Sequence, residues 1–222
     1  MGDIADYHVN QYASGRWGMP RSNKGKGSDF YMTTKNTDTK VITGEVRFSY
    51  AHVFEPHAMD DNQEAKYSVC LLIPKEDKET VKAIEEAIEA AKAQGKAQWG
   101  GKVPPSLKTP LRDGDEERDQ EEYKGHYFIN ANSKQKPGVV KPAGKKTVEQ
   151  ITDTEEFYSG CYGKASVNFY PFAVSGNKGI AAGLNNVIKL RDGDYLGGRA
   201  SAEDDFSDMD FDVEDGGDDF LG

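Results

Sequence analysis

The stretch 161–172 constrains the fold more than any other part of the chain. Cys161, Ala165, Val167 and Phe169 are small or apolar and fall on one face of an extended strand. Tyr162, Lys164, Ser166, Asn168, Tyr170 and Phe172 fall on the other. Such a strand packs one face into a core and offers aromatics, amides and a cation on the opposite face. The same period of two recurs at 41–50, where Ile42, Gly44, Val46, Phe48 and Tyr50 share a face, and at 66–74, where Tyr67, Val69, Leu71 and Ile73 do. Pro74 ends that second strand, because proline cannot donate to a ladder. Further strands are expected at 123–133 and 184–190.

Between Asp77 and Trp99 the period changes to helical, with Val81, Ile84, Ile88 and Ala91 spaced by three and four. One amphipathic helix lying on a β-barrel is the expectation. Prolines at 104, 105 and 110 and the acidic turn 113–117 make 100–122 a long exposed loop. Glycines 176, 179 and 183 mark another loop; the first two lack the spacing and following helix of a phosphate-binding loop. The whole chain therefore reads as mainly β: a basic, extended N-terminal arm over 1–40, one folded domain over 41–200, and a disordered tail over 201–222.

Charge locates the candidate chemistry. The net charge is −10, yet ten of the 38 acids lie in 203–222, which holds no Lys or Arg, and the other 28 balance 28 bases. The body is thus neutral, with local basic segments: Arg16, Arg21, Lys24 and Lys26 in the arm, and six lysines without an acid over 124–147. A sequence-tolerant single-strand binder needs cations for phosphates and flat rings for bases. Tyr162, Lys164, Asn168, Tyr170 and Phe172, flanked by Arg47 and the lysine-rich loop, meet that need.

Other chemistries fit less well. Asp113, Asp115 and Glu117 suggest a Mg²⁺-dependent nuclease, but contiguous acids in a glycine-containing loop are more simply solvated. The two cysteines, Cys70 and Cys161, sit in apolar strands, as buried thiols of a reducing compartment do, and with the four histidines they form no zinc spacing. No cofactor is expected. No apolar run spans a bilayer and the first ten residues lack a signal-peptide pattern, so a cytoplasmic location is expected. In the tail, Phe206, Met209, Phe211, Val213 and Phe220 interrupt the acids, a pattern suited to docking on a partner. A DNA-mimicking interaction protein is the third alternative.

The order of five segments adds a resemblance. Residues 110–118 (PLRDGDEER), 123–131 (YKGHYFINA), 136–140 (KPGVV), 159–172 (SGCYGKASVNFYPF) and 179–186 (GIAAGLNN) resemble the phage and prophage single-stranded DNA-binding proteins of the T7-like type. That resemblance implies an OB-fold barrel and a role in phage DNA replication or recombination in the host cytoplasm. It also implies an acidic tail whose aromatics, here Phe206, Phe211 and Phe220, dock replication proteins such as a polymerase or helicase. A homodimer is compatible with it. Carried onto matching positions, the resemblance implies DNA contact by Tyr162, Lys164, Asn168, Tyr170 and Phe172, and also by Tyr127, Phe128 and Lys134.

Overall fold

The computed structural model describes residues 38–58, 63–174 and 176–197. The arm, except for residues 38–40, and the tail lie outside the described residues, and so do Phe206, Phe211 and Phe220.

Among the described residues nine strands form one sheet, and five of them close on themselves. Strand β2 (Val46–His57) pairs antiparallel with β3 (Lys66–Pro74), and β3 with β5 (His126–Ser133). Strand β5 runs parallel to β9 (Asn177–Arg191), which pairs with β8 (Tyr162–Val174), and β8 returns to β2. This closed ring, with the third and fifth of its strands parallel, is the OB connectivity. Short strand β1 (Lys40–Ile42) continues the edge of β2 along β8, and β4 (Arg112–Asp113) adds to β5. Beyond β9, the strands β6 (Gly138–Pro142) and β7 (Val148–Gln150) form a hairpin where only a basic loop was expected.

Helix α1 (Lys78–Gly95) begins at Asp77, whose carboxylate accepts the Thr80 amide at 3.1 Å. Its buried stripe of Val81, Ile84, Ala87, Ile88 and Ala91 enters the same core as Phe48, Leu71, Ile129, Val167 and Phe169. The first strand is broken where that helix begins. Gly44 donates to Thr80 Oγ1 at 2.7 Å, and a Cβ there would stand 2.2 Å from the Asp77 carboxylate. The break shifts the alternation, so Val41 and Thr43 are buried before it and Val46 and Phe48 after it. Ile42 therefore leaves the face expected for it, and Tyr50 leaves it at a second, separate irregularity. Tyr50 adopts a φ of 47° and is 58% exposed.

The segment expected as a free loop folds back onto the barrel. It carries β4, a one-turn helix α2 (Gly114–Glu117) and a 3-10 turn at Glu121–Tyr123. Tyr123 and Phe128 meet edge to face at 5.2 Å and, with Cys70 and Leu72, make a second small core outside the barrel. That contact explains why β3 is buried on both faces at Cys70 and Leu72. Gly179 and Gly183 belong to β9 rather than to a loop. A Cβ at Gly179 would meet Phe172 at 2.7 Å, and one at Gly183 would meet Tyr170 at 3.4 Å, so both glycines are slots beneath rings.

Candidate nucleic-acid interface

The outer wall of β3 and β5 is half covered. Near Pro74 the small second core hides it, and toward Lys66 it stays open as a groove of about 690 Å³. Ser68, Cys70, Asn130 and Asn132 lie along it, since these positions alternate with the core residues Val69, Ile129 and Ala131. Strand β2 supplies Tyr50, His52 and His57, while Lys66, Arg118 and Glu64 complete the lining. Register shifts in the pairing with β3 bring the two imidazoles together, stacked at 4.4 Å and 15°.

Cations and flat groups alternate here. Arg118 lies over the rings of Tyr123 and Phe128, 5.6 and 5.3 Å from their centroids. Burial, and then the neighbouring His57, hold the His52 imidazole below its ordinary pKa. Burial pushes the Cys70 thiol up to about 11, so this thiol stays protonated at neutral pH. The groove can therefore offer phosphates the cations of Lys66 and Arg118, bases the flat rings of Tyr50, His52 and His57, and base edges the amides of Gln63, Asn130 and Asn132.

The expected site residues divide among several places. Arg47 and Tyr162 sit at the covered end of the same outer wall. There Tyr162 has Arg191 over its ring at 3.6 Å and Arg47 at 5.4 Å, and Arg191 is paired with Glu45 at 2.8 Å. Phe128 is fully buried in the second core, and Tyr127 packs against the main core with Lys75 5.0 Å above it. Lys134 reaches the groove rim through a 2.6 Å pair with Glu64. Lys164, Asn168, Tyr170 and Phe172 lie on β8, a strand that pairs with neither β3 nor β5 and stands across the ring from the groove. Asn168 there accepts from Thr39 at 3.2 Å, while Tyr170 is 40% exposed.

The acids considered for a nuclease are tied to cations. Asp113 and Asp115 bind Lys75 at 2.5 and 2.7 Å, and Glu117 pairs with Arg112. Asp113 also caps α2 by accepting the Asp115 amide. Among the described residues, no three His, Cys, Asp or Glu side chains gather to hold a metal, and no helix is long and apolar enough to cross a membrane.

Sequence reasoning missed most of the groove. Asn130 and Asn132 were legible as polar positions alternating with Ile129 and Ala131. Tyr50, His52 and His57 were not, because irregular pairing rather than period places them.

Comparison with known proteins agrees with this architecture. The single-stranded DNA-binding protein of bacteriophage Enc34, solved in complex with single-stranded DNA, is similar at a TM-score of 0.63 and 28% identity. The match covers 77% of this chain and all of that one. Gp2.5, a single-stranded DNA-binding protein encoded by bacteriophage T7, shares the fold at a TM-score of 0.50 and 19% identity, over 84% of this chain and all of its own. The p50 protein of Acyrthosiphon pisum secondary endosymbiont phage 1 is 29% identical over 180 residues, covering 77% of this chain and 94% of that protein. The family model described as Enterobacter phage Enc34, ssDNA-binding protein, matches residues 39–220, and the chain belongs to that family.

Proposed function

We propose that this chain binds single-stranded DNA, without strong sequence preference, in the groove on the outer wall of β3 and β5. Family membership makes it a binder rather than an enzyme. The observation that carries the location is the coincidence of this groove with the second-and-third-strand face on which OB barrels take up oligonucleotides. Tyr50 and the His52–His57 stack offer π-faces to bases of any identity, while Lys66 and Arg118 face phosphates. Arg47 and Tyr162 extend the same wall. Lys164, Asn168, Tyr170 and Phe172 are assigned a lesser role, since Tyr170 and Phe172 rest on glycine slots across the barrel.

The tail completes the proposal. Leu196 packs against the second core beside the groove, and the acidic residues follow it in sequence from Glu203. Its ten acids, carried on the same chain as the basic groove, compete with DNA for the groove's cations. Phe206, Phe211 and Phe220 dock replication proteins such as a polymerase or helicase. The setting is phage DNA replication or recombination in the host cytoplasm, with a second copy of the chain as a further partner. Titration of a labelled oligonucleotide with and without Mg²⁺ tests the core of the proposal. Binding without cleavage is expected in both; cleavage, or no binding, overturns it.

A further inference from the structure

Segment 192–197 crosses the outside of β2 between the end of β9 and the tail. Tyr195 lies in it, 63% exposed as a residue, with its ring parallel to Tyr158 at 4.8 Å and an interplanar angle of 2°. Tyr158 is held from several sides. Its hydroxyl bonds Asp192 and the Gly193 carbonyl at 3.0 Å, and Lys189 stands 5.3 Å from its ring centroid. The backbone beneath is fixed as well, because the Leu196 amide donates to the Ser159 carbonyl at 2.7 Å. A ring with one face on a fixed partner and this much exposure presents its other face to solvent.

Tyr195 borders a second cavity of about 370 Å³, and His52 lines both this cavity and the proposed DNA groove. A strand leaving the groove past His52 therefore meets an aromatic step. Resting on the proposed groove, we infer that the Tyr158–Tyr195 stack is an additional nucleotide subsite, which takes one base of the same single strand on the open face of Tyr195. The contact is stacking and not charge pairing. Asp192 and Asp194 flank the step and Glu55 lines its cavity, so phosphates pass at a distance while the neutral base is accepted.

Stacking without phosphate contact has a distinct signature. Tyr195→Ala should leave the affinity for the shortest oligothymidylates unchanged and weaken longer ones by about 5- to 100-fold, tested across the usual range of about 4 to 16 nucleotides. The slope of affinity against salt should not move, since no counterion release is lost. Tyr195→Phe should bind like the unsubstituted chain, and Tyr195→Trp should show indole quenching only with the longer oligonucleotides. An equal loss at every length, a shallower salt slope, or no loss at any length in Tyr195→Ala overturns the subsite while leaving the groove intact. Failure of the unsubstituted chain to bind any length would remove the groove reading and the subsite together.

Discussion

Lys66 and Arg118 are the two permanent cations lining the groove, and removing either should change the salt dependence of binding by a calculable amount. Each phosphate neutralised on a single strand releases counterions and contributes about −0.7 to the slope of log affinity against log salt. Two contacts give about −1.4, so affinity should fall roughly sevenfold between about 50 and 200 mM salt. If Lys134 leaves Glu64 for a phosphate, the slope steepens to about −2.1 and the fall grows to roughly eighteenfold. Fluorescence anisotropy on a labelled oligothymidylate over a salt series measures this directly. Lys66→Ala should make the slope shallower by about 0.7 at unchanged fold stability. Arg118→Ala should do the same and also loosen the wall, because that guanidinium caps Tyr123 and Phe128. A slope that neither substitution moves would refute the assignment of phosphates to this groove.

Phe128→Ala should cost roughly 3 to 5 kcal/mol of stability by denaturant titration, as a fully buried ring of the second core; a surface-like loss below about 0.5 kcal/mol would mean the ring is not packed as described. Because His52 titrates below its ordinary value in the fold, its contribution to stability is complete above pH about 6.5 and is lost as pH falls through the lowered value. DNA phosphates favour the protonated ring, so binding should tighten over the same interval, and His52→Gln should flatten both profiles when followed by thermal melts and anisotropy. Deleting residues 203–222 should tighten single-strand binding most at low salt, whereas replacing Phe206, Phe211 and Phe220 by Ala should leave that competition intact and abolish capture of replication proteins. Unchanged low-salt affinity on truncation would exclude the tail from the groove.

What could be read in the sequence was set by local period. Strand β8 was legible because Cys161, Ala165, Val167 and Phe169 alternate with polar and aromatic neighbours, and α1 because Val81, Ile84, Ile88 and Ala91 repeat every three or four residues. The groove depends instead on events without a period. A break at Gly44, the positive φ of Tyr50 and the shifted register of β2 decide which β2 side chains face outward. The return of 112–125 onto the barrel is also non-local: it buries Phe128 and Tyr123 beside Cys70 and leaves the other half of the wall open. Gly179 and Gly183 read as turn residues because their reason, the rings of Phe172 and Tyr170, lies on another strand.

The claim that DNA lies on β3 and β5 and not across the barrel on β8 is tested most directly by one matched pair of substitutions. Tyr50→Ala and Tyr170→Ala each remove an exposed tyrosine ring, one from the groove and one from the opposite wall. With folding verified by circular dichroism, anisotropy titration should show Tyr50→Ala weakening single-strand binding by about 1 to 3 kcal/mol, the usual worth of one stacked base. Tyr170→Ala should stay within about 0.5 kcal/mol of the unsubstituted chain. The reverse ranking, with Tyr170→Ala impaired and Tyr50→Ala intact, would place the DNA on β8 and contradict the account.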